Sequence, residues 1–227
     1  MLRPGIATEC EQIALEARAE IGLRAEDQLN PEELAAHLAI ELRPLHSFSG
    51  KLPASVYHLT VDARSVFSAV TVYRNNKRIV VYNSAHSPRR HVNTIAHELA
   101  HVLLDHAPTR LFDEYGQRVW IAGDEAEADY LAGALLVPLP AVAPVMDRVG
   151  DDLVDAAEHF GVSESLMQYR VVVAGGPVRV EMAEFGQLFG GEVESPAELA
   201  AGQSRRIRRP PVDSEVESLD PSRSVEE

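Results

Sequence analysis

His97, Glu98 and His101 stand in the order His-Glu-Leu-Ala-His, inside the stretch NTIAHELAHVLLDH that runs from Asn93 to His106. On a helix, residues four apart lie one turn above each other on one face. The two imidazoles can therefore aim at a single point. Glu98 sits beside them, rotated by about 100°. Imidazole nitrogens are good ligands for zinc, and a carboxylate next to the ion can serve as a general base. The chemistry this set supports is hydrolysis: the ion polarises a water, the carboxylate takes its proton, and the oxygen attacks a carbonyl.

That arrangement needs a helix to carry it. The segment Ser84-Ala85-His86-Ser87-Pro88 reads as its start, with Ser87 as N-cap and Pro88 at the first helical position. Val92, Ile95, Leu99 and Val102 recur at helical spacing and form a buried stripe. His97 and His101 lie off the stripe, towards another face. A third protein ligand is needed if the ion is to keep one open position. Residues 124–136, DEAEADYLAGALL, read as a second strong helix ending at Val137-Pro138, and they offer Glu125 and Glu127. Glu125 has Asp129 one turn later, placed to orient a ligand histidine from behind. Glu127 has Tyr130 and Leu131 at the corresponding offsets, which reads as a packed face. Glu125 is favoured, and Glu127 remains the alternative.

Other elements surround these two helices. Residues 6–21 have apolar residues at helical spacing (Ile6, Ile13, Ala14, Ala17, Ile21), with Gly22 as the stop. Asn30 and Pro31 open a second helix as N-cap and first position, with Leu34, Leu38 and Ile40 on its buried side. Residues 56–61, 66–73 and 78–83 are rich in Val, Ile, Tyr, Phe and Thr and read as three strands. Arg74-Asn75-Asn76-Lys77 forms the turn between the last two. The sheet runs directly into the His97 helix, and its edge can hold an extended peptide by strand addition. Residues 107–123 are irregular, broken by Pro108 and Gly116, and Tyr115 and Trp120 are expected to pack there.

The stretch HELAHVLLDH followed by EAEADYLAGALLVP resembles the ImmA/IrrE family of metallopeptidases. The resemblance covers roughly residues 6–172, with its specific motifs between 87 and 138. It implies a zincin-like α+β fold of the gluzincin kind, with a small antiparallel sheet packed on helices and a C-terminal helical subdomain. It implies that His97, His101 and Glu125 bind zinc, that Glu98 is the catalytic acid/base, and that Asp129 supports a ligand from behind. The Leu135-Leu136-Val137-Pro138 ending fits the family. Tyr130-Leu131-Ala132 departs from its more usual aromatic immediately before that alanine. Characterised members cleave a helix-turn-helix transcriptional repressor, so the expected activity is a bacterial or phage zinc metalloendopeptidase acting on such a protein. Manganese is the other candidate ion. The rival reading is a zincin scaffold that binds and sequesters a repressor or antitoxin without cutting it. The intact Glu98 speaks against that rival, because a pure binder needs no base.

Residues 151–172 read as two helices around Gly161-Val162-Ser163, with Ser163 capping the second. The expected organisation is a metallopeptidase domain over 1–145, a small helix-turn-helix-like subdomain over 146–190, and a disordered tail over 191–227 that carries the basic cluster Arg205–Arg209. The would-be recognition helix holds one basic residue, Arg170, and the 227-residue chain has a net charge of −14. Direct nucleic-acid binding is therefore not expected, since such surfaces are usually basic. A hydrophobic content of 45% and a charged content of 25% are those of an ordinary globular protein. With one cysteine, Cys10, no bilayer-length apolar run and no signal-peptide core, the expected location is the cytoplasm. Tyr115, Tyr130, His86 and His91 are the polar side chains near the motifs from which an oxyanion-stabilising group is sought.

Overall fold

The computed structural model describes residues 2–74, 77–106 and 122–176. The chain opens with α1 (Ile6–Glu20), whose buried face carries Ile6, Cys10, Ile13, Ala14 and Ala17. Gly22, at φ 79°, turns the chain after it. Asn30 caps α2 (Pro31–His37): its side chain accepts a hydrogen bond from the Glu32 amide at 3.0 Å. The chain then forms a short strand, β1 (Glu41–Pro44), and a 3₁₀ turn over Leu45–Phe48.

Residues 56–61 do not form the expected strand. They belong to α3 (Pro53–Tyr57) and a π-helical turn over His58–Asp62. Strand propensity expresses a fit to a pleated, half-buried surface, and this segment has no such surface. Only Val56 is buried, while Tyr57 and Val61 stand out in solvent. Pro53 at the first helical position sets the local conformation.

The remaining strands are β2 (Ala69–Arg74) and β3 (Lys77–Tyr82), paired antiparallel with Arg74 opposite Lys77. Asn75 and Asn76, the centre of the expected turn, lie outside the described residues. The expectation of a purely antiparallel sheet needs correction. β1 pairs with β3 in parallel, Glu41 opposite Ile79 and Pro44 opposite Tyr82, so the sheet is mixed and ordered β1-β3-β2. A four-residue strand of Glu, Leu, Arg and Pro has almost no strand signature; its partner determines it.

Helix α4 (Pro88–Leu103) packs on β2 and β3 on one side and on α5 (Ala122–Leu136) on the other. α5 is buried almost all round from Glu127 to Leu136, as expected of a helix at the centre of a core. It touches α1, α4 and α8. Three further helices follow among the described residues: α6 (Leu139–Arg148), α7 (Leu153–Phe160) and α8 (Glu164–Val173). The Ser163 side chain caps α8 by accepting from the Leu166 amide at 3.2 Å. Phe160, Leu166, Met167 and Val171 share one continuous core with Leu131 and Leu135. Each such side chain contributes about 1.5–3 kcal/mol by leaving water.

Two buried arginines tie this core together. Arg18 donates to the carbonyl of Leu135 at 2.6 Å and to those of Arg24, Ala25 and Asp27. Arg170 donates from Nε to the Val137 carbonyl at 2.8 Å and pairs with Glu11. Arg170 is therefore turned inward and fully buried, out of reach of any phosphate. No single helix among the described residues is long and apolar enough to cross a membrane. The expected disordered tail, the Arg205–Arg209 cluster, Tyr115 and Trp120 all lie outside the described residues.

Candidate metal centre

α4 begins at the expected residue. Ser87 holds the extended N-cap conformation and Pro88 follows at the first position, although the Ser87 side chain makes no capping bond. Asn83 steadies the entry instead. Its buried amide donates to the carbonyls of Leu59, Arg64 and Phe67, and its oxygen accepts from the Ala85 amide at 3.1 Å. Ile95 and Leu99 then point into the core, and the next face of the helix presents His97, Glu98 and His101.

Across from them, α5 presents Glu125. Its Oε2 lies 3.3 Å from His97 Nε2 and 3.7 Å from His101 Nε2, and the two Nε2 atoms are 3.1 Å apart. At zinc–nitrogen distances of about 2.0–2.1 Å, ligand atoms of a tetrahedral ion lie about 3.3–3.4 Å from one another. The three donor atoms bracket that separation, so the cluster fits a small divalent cation. The side chains of His97, His101 and Glu125 are 22%, 23% and 25% exposed, which leaves the site open to solvent on one side.

The electrostatics also favour a cation. Burial opposes a charge on His97, but its hydrogen bonds to Asp129 and Glu125 outweigh burial and hold its pKa well above the ordinary histidine value. Burial likewise opposes the Glu125 charge, and the bonds to His101 and His97 overcome it and pull the carboxyl below its usual range. Positive charge is stabilised where the three donors meet.

Asp129 lies one turn beyond Glu125 and receives His97 Nδ1 at 2.7 Å. That bond fixes the ring and leaves Nε2 facing Glu125 and His101. Glu127, the alternative ligand, points elsewhere. It is buried and receives Arg3 Nε on both carboxylate oxygens, at 3.0 and 3.1 Å. Burial pushes up the pKa of Asp129.

Glu98 is held from the sheet. The Thr71 hydroxyl on β2 donates to its Oε2 at 2.5 Å. Thr71 was not singled out from the sequence; its signal is position, since it lies in the strand beside α4. His106 was also passed over, although it ends the same motif. Its Nδ1 is 2.9 Å from His101 Nδ1.

Of the residues sought as oxyanion stabilisers, Tyr115 lies outside the described residues and the other three are engaged elsewhere. His86 Nε2 meets the Arg64 carbonyl at 2.8 Å, and His91 Nε2 meets that of Asn83 at 2.9 Å. Tyr130 is buried with the Arg170 guanidinium 5.4 Å from its ring centroid.

No protein of curated function matches the chain. Residues 55–172 match the model of the Peptidase_M78 family, described as the IrrE N-terminal-like domain. That span takes in more than half of the 227 residues, including α4, α5 and the whole His97–His101–Glu125 cluster. The chain belongs to the IrrE N-terminal-like peptidase family, Peptidase_M78.

Proposed function

We propose that this protein is a zinc-dependent metalloendopeptidase with a zincin-like fold, and that its substrate is a regulatory protein, a helix-turn-helix transcriptional repressor. One observation carries the reading. A carboxylate, Glu98, lies one residue from His97, accepts a hydrogen bond from Thr71, and neighbours three convergent metal donors. Three protein ligands leave a tetrahedral ion one position for water or substrate. A site built only to hold a structural ion has four ligands and no use for a base.

His97, His101 and Glu125 would hold the ion, and Asp129 would keep His97 in the tautomer that offers Nε2. When bound, the ion supplies Lewis acidity, which polarises the peptide carbonyl and acidifies water. Glu98 accepts the proton of the attacking water and returns it to the leaving amine nitrogen. The Thr71 hydroxyl holds one Glu98 oxygen, so the other is free to face the water. Among the described residues β2 is an edge strand of the sheet, and it carries Thr71, so an extended peptide added along it would pass beside Glu98. This supports a peptide substrate over a small molecule.

Incubation with candidate helix-turn-helix repressors, with zinc and with a chelator, tests the reading by mass spectrometry of the products. Cleavage that requires zinc is expected. Tight binding without a cut would favour the sequestering scaffold instead.

A further inference from the structure

We propose that His106 is a positioning residue for the metal centre: it accepts the Nδ1 proton of His101, with Glu127 and Arg3 behind it fixing the direction of that bond. The inference rests on the metal reading above and concerns how one of the ligands is held.

The backbone brings the two rings together. α4 ends in a Schellman turn: the His106 amide donates to the His101 carbonyl at 3.0 Å, and the Asp105 amide to that of Val102 at 3.1 Å. Asp105 adopts the left-handed conformation, φ 52°, which Asp tolerates better than most residues. In this turn the residue two beyond the C-cap folds back on the residue three before it, a contact that is commonly apolar. Here the pair is His106 on His101, with ring centroids 5.0 Å apart and the two Nδ1 atoms at 2.9 Å.

The protons follow from the neighbours. To bind a metal through Nε2, neutral His101 must carry its proton on Nδ1. His106 Nδ1 must then be the bare acceptor, and its own proton must sit on Nε2. That atom is buried without a hydrogen-bond partner, and the nearest carboxylate oxygen, Glu127 Oε2, stands 3.6 Å away, close enough to act by charge. Glu127 accepts only, and Arg3 holds both its oxygens. A carboxylate on this side favours the Nε2–H tautomer of His106 over the reverse one, which would put a proton on His101 Nε2 and disable it as a ligand. The site is thus supported twice. Asp129 holds His97 by a direct hydrogen bond, and the Glu127 charge biases His101 through an intervening imidazole. Glu127, set aside as a packed face in the sequence, gains a role that Glu125 does not share.

Nitrogen-15 spectra of the histidines in the zinc-loaded full chain test this without any substitution. Protons on His101 Nδ1 and His106 Nε2 are expected, and a proton on His106 Nδ1 overturns the proposal. Zinc affinity of variants is the second readout, measured against a chromophoric chelator. His106→Leu should bind zinc about 10–100-fold more weakly, the usual cost of losing a group that orients a ligand, and should shift the visible bands of the cobalt-substituted protein. His106→Gln should recover most of the affinity, because its amide can accept from His101 and donate to Glu127. Equal zinc affinity in wild type and His106→Leu overturns the proposal and leaves the metal reading intact. A wild-type chain that takes up no zinc overturns both. Should His106→Leu fail to fold, the tautomer measurement on the wild type decides.

Discussion

Replacing Asp129 should weaken the metal site by an amount that depends on what replaces it. Asp129 receives His97 Nδ1 at 2.7 Å, and its side chain is 18% exposed. A hydrogen bond to a charged group contributes about 1.5–3 kcal/mol, which is about 10–150-fold in affinity. Burial works against the Asp129 charge and raises its pKa, so part of that gain is offset. The expected loss for Asp129→Ala is therefore about 10–40-fold, within the range for groups that orient ligands. Asp129→Asn keeps an acceptor oxygen but loses the charge. The gap between charged and neutral hydrogen bonds, about 1 kcal/mol, sets its loss near fivefold. Glu125→Ala removes one of the three donors and should cost more than either. Competition of each metal-free variant against a chromophoric zinc chelator at neutral pH measures the series. Wild-type affinity in Asp129→Ala, or a smaller loss in Glu125→Ala than in Asp129→Ala, would show that these side chains do not hold the ion in this way.

Thr71→Val should leave zinc affinity unchanged and lower kcat roughly tenfold, because it removes the 2.5 Å bond that orients Glu98; steady-state kinetics with unchanged kcat would show that Glu98 needs no such support. Arg170→Ala strips the buried partner of Glu11 and the donor to Val137, and breaking a buried pair costs about 3–5 kcal/mol. For a chain of this size that lowers Tm by about 6–20 °C, and a calorimetric change below about 2 °C contradicts the structural role. Cys10 is fully buried, and burial first, then the nearby Glu127, pushes its pKa upward. It should resist thiol reagents in the native protein and react on unfolding; native labelling at the unfolded rate would refute this.

The parts of the site written into local pattern were readable from the sequence. Pro88 and the apolar stripe of Ile95 and Leu99 placed α4, and the four-residue spacings placed His97 over His101 and Glu125 over Asp129. In each case the determinant lies within one or two helical turns. What escaped the reading depends on residues distant in sequence. Thr71 meets Glu98 because β2 packs on α4, and Glu127 is oriented by Arg3, 124 residues away. Residues 56–61 have strand-forming side chains, but they lie in helical turns that bury only Val56. β1 forms only because β3 supplies a partner. Arg170 is legible in the sequence only as the one basic residue of a would-be recognition helix, and the Glu11 carboxylate on α1 holds it in the core. His106 is the instructive case. It was adjacent to the motif, but its role depends on a helix-ending turn that folds it back onto His101.

Glu98→Gln separates chemistry at Glu98 from metal binding by its neighbours. The amide preserves shape and the bond from Thr71, but it cannot accept the proton of an attacking water. Zinc content by elemental analysis and cleavage of the proposed repressor substrate by mass spectrometry should be read on the same preparation. One zinc per chain is expected in both proteins, with cleavage in the wild type and none in Glu98→Gln. Wild-type turnover by Glu98→Gln at full zinc occupancy would contradict chemistry at Glu98.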